Sequence, residues 1–241
     1  MSATPSPLWF LDRSSGEVTL ILLSVAVALG VVRAAHPAFH PFLIEGVHRN
    51  LTFLAIAFAA LHIVAAVADP YAQLSVLDSV VPFLSAYRTT WMAFGIFSGY
   101  LFAVVLVSSW PARRFGRAAW QWLHRVAYAG WVVAVVHSLG TGSDARNPLF
   151  LVLTLAAVVG VLVTFLGVRL AEQRNHRPLN AAIGAVAILT IVVIAVWAAN
   201  GPMRPGWARN SGTPPGLLHS PQGVSVARSR APPRSRSGPD R

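Results

Sequence analysis

This 241-residue chain has no cysteine and no lysine, and it carries few charges of either sign. The lack of cysteine excludes disulfides, thiolate chemistry, cysteine-ligated iron–sulfur clusters and covalent c-type haem attachment. Charged residues make up 11% of the sequence, against about 25% in an ordinary soluble domain. Because 55% of the residues are hydrophobic and the mean hydropathy is +0.58, the composition predicts an all-α integral membrane protein.

Six apolar segments are long enough to cross a hydrocarbon core, which needs about 20 helical residues. They run from about Gly16 to Val32, Pro41 to Ala68, Trp91 to Trp110, Ala118 to Leu139, Pro148 to Val168 and Leu179 to Ala199. Ser14 and Glu17 have capping-box spacing and predict the start of the first helix. We therefore predict a short N-terminal segment, residues 1–15, followed by a six-helix transmembrane bundle over residues 16–200.

Residues 201–241 are rich in Pro, Gly, Ser and Arg and poor in large apolar residues. Such a composition cannot bury enough apolar surface to fold by itself. We predict a mostly disordered C-terminal tail, except that residues 201–215, which contain Trp207, are expected to pack near the membrane surface. The N-terminus has neither a basic region nor a small-residue cleavage motif, so we expect no signal peptide to be removed.

Arginine supplies all 19 basic residues, and its distribution predicts the orientation in the membrane. Cytoplasmic loops are enriched in basic residues close to the spans. The connections after the first, third and fifth segments carry most of these arginines, whereas the opposite side carries more acidic residues. We therefore expect a multi-pass protein of the plasma membrane with both termini outside. Because the net charge of +11 is spread over short loops and the tail, nucleic acid is not an expected partner.

Four histidines lie inside two of the apolar segments, His48 and His62 in the second and His124 and His137 in the fourth. Ionisable side chains within a membrane span are rare and commonly functional. The two segments are separated by one span, so they run parallel, and corresponding histidines lie at similar distances from the segment starts. Depth alone therefore predicts two pairs, which we call the first pair (His48 and His124) and the second pair (His62 and His137). At a rise of about 1.5 Å per residue the pairs are roughly 20 Å apart along the helix axis.

Neutral imidazole is a common axial ligand of haem iron, so the two pairs predict two bis-histidine b-type haems in line across the bilayer. Such a centre has no open coordination position and transfers electrons, and we predict no catalytic side chain. Arg49 and Arg125 directly follow the histidines of the first pair. They are candidates for binding haem propionates, and they also fit the role of interfacial arginines that set topology.

The angular positions of the four histidines are less consistent than their depths. At about 100° per residue, His62 returns to within roughly 40° of His48, whereas His137 lies roughly 140° from His124. We therefore expect irregular geometry in the fourth segment, unless tilt, supercoiling or off-axis haems absorb the difference.

Three further features leave alternatives open. His36 and His40 could bind a metal, or could supply interfacial polarity or helix capping. Gly95 and Gly99 form a G-x-x-x-G pattern that allows another helix to approach closely, within the chain or in a dimer. Residues 72–86 are apolar and could form either a lid over the outer haem or a packed loop.

Around these histidines the chain resembles the ferric reductase-like transmembrane domain family, in particular its actinobacterial members. The resemblance is carried by Glu45-Gly46-Val47-His48-Arg49, Leu61-His62, the stretch from Trp120 to Tyr128, and the stretch from His137 to Asp144. The family is related to the membrane haem domain of NADPH oxidases and to the haem subunit of a bacterial envelope system that repairs oxidised methionine. The resemblance implies two b-type haems on the two histidine pairs, which carry electrons from the cytoplasmic side to the outer side.

Many members of that family continue into a cytoplasmic flavin and nicotinamide domain after the fifth helix. Here the fifth segment ends near Arg169, only a short loop precedes the sixth segment, and there is no G-x-G-x-x-G fingerprint. We therefore expect electrons from a separate reductase or flavoprotein, or from membrane quinol, with a flavin or a quinone at the cytoplasmic side as an open question. The outer acceptor is unknown.

Two rival functions stay open on the sequence. A quinol-linked cytochrome b of another family could also use parallel helices with paired histidines. A non-redox membrane transporter or scaffold with structural histidines belongs to a different class, and the visible spectrum of the purified protein distinguishes it from both haem proteins.

Overall fold

The computed structural model describes residues 6–36, 40–109, 116–141, 147–171 and 177–215. These residues form helices and the turns between them, and they contain no β-strand. The helices are α1 (Pro7–Ala35), α2 (Pro41–Ala68), α3 (Val76–Val80), α4 (Thr89–Ser109), α5 (Arg117–Thr141), α6 (Pro148–Ala171), α7 (Arg177–Asn200) and α8 (Trp207–Asn210). The six predicted segments correspond to α1, α2, α4, α5, α6 and α7. Trp110, the predicted end of the third segment, lies outside the described residues.

Four of these helices are long and apolar enough to cross a membrane, namely α1, α2 from Phe42 onwards, α4, and α6 up to Val168. A shorter apolar stretch, Gly184–Asn200, lies in α7. The sequence of α5 is less apolar because it includes Gln121, His124 and Arg125. The chain is therefore a helical multi-pass membrane protein, and length and composition support four crossings among the described residues rather than the predicted six.

The start of α1 differs from the sequence prediction. The helix begins at Pro7, and the N-cap is Ser6, whose hydroxyl accepts a hydrogen bond from the Trp9 N–H at 3.0 Å. The hydroxyl of Ser14 donates to the Phe10 carbonyl inside the helix, so the predicted capping box is wrong. A Ser–Pro pair at N-cap and N1 is a strong start signal, and the apolar window missed it because the polar run from Asp12 to Ser15 interrupts the apolar residues of α1.

Helix α1 occupies the centre of the arrangement, since it packs against α2, α5 and α6, while α4 packs against α5. The indole N–H of Trp131 in α5 donates to the hydroxyl of Ser24 in α1 at 2.8 Å, and both side chains are buried. Apolar side chains of α1 and α5 surround this bond, among them Leu20 and Val135. Two helix pairs, α1–α2 and α4–α5, are thus joined chiefly through α1.

Residues 201–215, which we call the C-terminal strap, cross the ends of α4, α5 and α7. The indole of Trp207 packs against the rings of Trp91 and Trp197, with centroids 5.3 and 6.1 Å away, and its N–H donates to the Gly140 carbonyl at 2.9 Å. This part of the tail therefore packs on the helix ends, and its predicted position near the membrane surface stays a prediction. The predicted disorder of residues 216–241 falls outside the described residues.

Arg88 ties the strap to the helices. The side chain is 2% exposed, its Nε donates to the Thr213 hydroxyl at 3.0 Å, and Nη1 donates to the Thr141 carbonyl. The Arg88 backbone N–H donates to the Gly212 carbonyl at 3.1 Å. An arginine that the sequence presents as a loop charge is therefore a buried connection between the start of α4, the end of α5 and the strap.

Residues 72–86 contain one short helix, α3, whose N-terminus is closed by a capping box between Ser75 and Asp78. The segment packs on α4, where the Tyr100 hydroxyl donates to the Val80 carbonyl and the rings of Phe83 and Phe97 meet edge to face at 5.8 Å. The segment thus packs on α4, and the lid over the outer haem stays a prediction.

Candidate functional site: two histidine pairs between α2 and α5

The four buried or half-buried histidines of α2 and α5 meet in two pairs. The ring centroids of His48 and His124 are 6.1 Å apart, and those of His62 and His137 are 6.4 Å apart. The planes of the two rings are inclined by 58° in the first pair and by 73° in the second. The pairing that depth alone predicted is therefore the one observed.

The predicted irregularity of α5 is absent. Residues 117–141 form one unbroken α-helix, although His124 and His137 point in different directions on an ideal helix. The angular mismatch is consequently absorbed by how α5 lies against its neighbours and not by a break in the helix. The depth of a residue is fixed by counting along the chain, whereas its direction also depends on tilt, which the sequence does not specify.

Backbone carbonyls hold three of the four imidazoles. Nδ1 of His48 donates to the Ala26 carbonyl at 2.9 Å, and Nδ1 of His62 donates to the Asp12 carbonyl at 2.9 Å, both in α1. Nδ1 of His137 donates to the Trp91 carbonyl in α4 at 2.8 Å. A carbonyl oxygen only accepts, so Nδ1 carries the proton in each ring and Nε2 keeps its lone pair for a metal.

His124 is held differently. Its Nδ1 is buried and has no hydrogen-bond partner among the residues that the structure describes. The ring stacks on Trp120, one helical turn earlier, with centroids 4.9 Å apart and planes inclined by 25°. Stacking orients this imidazole without fixing which nitrogen carries the proton.

The spacing of the rings fits two imidazoles on opposite sides of one metal ion. Imidazole nitrogen binds zinc at about 2.0–2.1 Å, and with the ring centroid about 1.1 Å behind the nitrogen, two opposed rings have centroids about 6.3 Å apart. The observed spacings of 6.1 and 6.4 Å agree with this value. Each pair can supply two imidazole nitrogens to one metal ion.

Among the residues that the structure describes, a carboxylate is in contact with the second pair. Oδ1 of Asp12 is 2.9 Å from Nδ1 of His62, so the imidazole N–H faces both the carbonyl and the carboxylate of one residue. The side chains are 22% and 30% exposed, respectively. Asp12 thus contributes two oxygens to the surroundings of this imidazole.

The remaining predicted site residues lie at or near helix ends. The side chain of Arg49 is exposed, and the guanidinium of Arg125 lies over the Trp122 ring, 4.8 Å from its centroid. His36 is the C-cap of α1 through its backbone N–H, and His40 is the N-cap of α2 without a capping hydrogen bond from its side chain.

Two glycines of α1 belong to the site and were missed in the sequence. A Cβ at Gly16 would lie 3.0 Å from Nδ1 of His62, and a Cβ at Gly30 would lie 3.6 Å from Cε1 of His48. The signal was present, because Gly16 and Gly30 are 14 residues apart, the same separation as His48 and His62. Of the G-x-x-x-G pair in α4, Gly95 makes the close approach, and its neighbour is the ring of His137 rather than a helix backbone.

The fold and the site define a multi-pass helical membrane protein with two stacked histidine pairs between parallel helices. Residues 15–135, which include three of the four histidines, match the family described as ferric reductase like transmembrane component. The chain belongs to this family.

The chain is also similar in sequence to three named relatives. They are the protein-methionine-sulfoxide reductase heme-binding subunits MsrQ of Bordetella pertussis, Bordetella parapertussis and Bordetella bronchiseptica. Each is 29% identical to this chain over 165 residues, which cover 64% of this chain and 74% of the relative. No solved structure matches the chain.

Proposed function

We propose that this protein carries electrons across the plasma membrane through two haems of b type, one held by each histidine pair. The observation that carries the proposal is the meeting of α2 and α5 histidines at 6.1 and 6.4 Å, at two depths. Membership of the ferric reductase-like family and the haem-binding role in the names of its relatives support it. They favour it over a cytochrome of another family and over a non-redox scaffold.

Haem iron ligated by two imidazoles supplies a one-electron couple without an open coordination position. The chain's own residues do the rest: carbonyls of Asp12, Ala26 and Trp91 hold three imidazoles with Nε2 available. Arg49 and Arg125 directly follow the two histidines of the first pair. Each guanidinium would bind a haem propionate through paired N–H donors. Six crossings, by α1, α2, α4, α5, α6 and α7, complete the proposed bundle.

The proposed partners follow from similarity and from charge. By analogy with relatives named as subunits of a methionine sulfoxide reductase, the chain would pass electrons to a separate reductase on the outer side. The donor would be a flavoprotein or membrane quinol at the arginine-rich side, where a flavin or quinone would bind. Ferric iron would also be reduced if it reached the second pair as an electron acceptor.

The first test is the visible spectrum of the purified protein. After expression with adequate haem supply, we expect a Soret band and, on reduction, the sharp bands of low-spin bis-histidine haem, with two haems per chain. Protein from a haem-deficient host is the matched control and should lack these bands. A folded, haem-supplied protein without a Soret band would show that the histidine pairs are structural.

The second test concerns orientation, which we propose from the arginine distribution. The chain has no cysteine, so a single introduced cysteine is its only thiol. Ala208→Cys lies in the strap and Ala118→Cys at the start of α5, and both positions are exposed. We expect a membrane-impermeant maleimide to label Ala208→Cys in intact cells and Ala118→Cys only after permeabilisation. The opposite pattern would reverse the proposed direction of electron flow.

A further inference from the structure

We propose that Gly95 and Gly16 are positioning residues for the haem-ligating histidines His137 and His62, because each leaves a helix carbonyl open to a second hydrogen bond from an imidazole; Gly30 holds the same position beside His48, where a Cβ would fit. The inference rests on the assignment of His48, His62 and His137 as ligands under the proposed function.

The three carbonyls that hold an imidazole share one sequence relation. Each acceptor is followed four residues later by a glycine: Asp12 by Gly16, Ala26 by Gly30, and Trp91 by Gly95. In an α-helix the carbonyl of residue i accepts the N–H of residue i+4. Each of these carbonyls is therefore bonded by the glycine N–H and by a histidine N–H, and the Asp12 carbonyl also accepts the Ser15 hydroxyl at 3.0 Å.

The side chain at position i+4 decides whether the imidazole can reach the carbonyl. Cα–Cβ bonds tilt toward the helix N-terminus, so a side chain covers the turn that precedes it. A Cβ at Gly95 would lie 2.5 Å from Cε1 and 2.7 Å from Nδ1 of His137, which is a severe overlap. The corresponding approach is 3.0 Å at Gly16 to His62 and an ordinary contact of 3.6 Å at Gly30 to His48.

The spacing on α1 matches the spacing on α2. Gly16 and Gly30 are separated by 14 residues, as are His62 and His48, and consecutive helices α1 and α2 run antiparallel. One helix face of α1 thus carries two identical hydrogen-bonding positions at the depths of the two histidines of α2. The geometry of both ligands on α2 is set by one neighbouring helix.

In the α4–α5 helix pair, a carbonyl that binds an imidazole and is followed four residues later by glycine occurs once among the described residues. Moving 14 residues along α4 from Trp91 and Gly95 leads to Val105 and Ser109. The Ser109 hydroxyl donates to the Val105 carbonyl at 2.7 Å, and the Ser108 hydroxyl donates to it at 3.0 Å. At the corresponding position of α4 a serine therefore stands where the other three have glycine. This agrees with the different surroundings of His124.

Single alanine substitutions test the proposal as a graded series. We expect Gly95→Ala to lose most of the low-spin haem signal of the second pair, measured by electron paramagnetic resonance and by haem content. Gly16→Ala should show a smaller loss, and Gly30→Ala little change. Gly99→Ala is the matched control on the same helix, because no described atom comes within 4 Å of its Cβ position. Alanine favours the helix more than glycine does, so a loss of haem signal in Gly95→Ala would not come from a weaker helix.

A double-mutant cycle gives a readout that needs no haem. In haem-free protein, Gly95→Ala should lower the midpoint of thermal unfolding in detergent when His137 is present, and should leave it unchanged or higher in a His137→Ala background. Equal effects of Gly95→Ala and Gly99→Ala, or equal effects in both backgrounds, would overturn the proposal. An unaltered protein that never binds haem would instead refute the proposed function, and the cycle would still report on the glycine.

Discussion

Under the proposed function, a His137→Ala variant is expected to bind one haem per chain where the unaltered protein is expected to bind two. His137 and His62 form the second pair, roughly 20 Å along the helix axis from the first. Loss of one imidazole leaves a five-coordinate site beside a half-exposed His62, and the haem there is expected to dissociate during purification. Haem per protein, measured by the pyridine haemochrome method, should fall by about half, and the remaining centre should keep its low-spin spectrum.

Two further variants sharpen this result. His48→Ala should remove the other haem, and the spectra of the two variants should add up to that of the unaltered protein. His36→Ala is the control, because His36 is exposed at the end of α1 and should leave both haems in place. Loss of both haems from a folded His137→Ala protein would contradict two independent pairs.

Replacing Arg88 with methionine is expected to release the C-terminal strap. The guanidinium donates to the Thr213 hydroxyl and to the Thr141 carbonyl, both in a buried environment. Hydrogen bonds to charged groups contribute about 1.5–3 kcal/mol each, so the loss of two is expected to destabilise this region by about 3 kcal/mol or more. The strap carries Arg204 and Arg209, both exposed, so trypsin should cut there much faster in Arg88→Met, as followed by mass spectrometry.

Threonine substitutions provide the comparison for Arg88. Thr213→Val removes one acceptor of the guanidinium and keeps the shape, so it should accelerate cleavage to a lesser extent. Thr190→Val is the control, since the Thr190 hydroxyl bonds the Val186 carbonyl in its own helix α7. Cleavage of Arg88→Met at the rate of the unaltered protein would mean that the tryptophan cluster around Trp207 alone holds the strap.

The histidine pairing could be predicted from sequence because depth in a membrane follows from counting residues along parallel helices. The direction in which each histidine side chain points could not be predicted, because it depends on the tilt of α5 relative to α2. The role of Gly16 and Gly30 was also hidden, although their 14-residue spacing is visible, since the match acquires meaning only once α1 is known to pack on α2. Glycine carries no functional group, so a search for chemistry passes over it.

Arg88 shows a second limit of the sequence. Near the end of a span, an arginine contributes to topology, and that is how it was interpreted. Its partners lie 53 and 125 residues further along the chain, so no local pattern reveals its burial. The start of α1 is a different case, because the signal at Ser6 and Pro7 is local and visible in the sequence. The prediction instead took the helix start from the longer apolar segment that begins at Gly16.

The division of each histidine pair between two helix pairs has a consequence for biogenesis. During synthesis α1 and α2 emerge first, and the carbonyls of α1 can orient His48 and His62 before α4 and α5 exist. The later helices then bring His124 and His137 to a half-site that is already arranged. Under the proposed function, a haem would bridge the early and late halves at both depths, so the supply of cofactor during membrane insertion would govern how much protein reaches its final assembly.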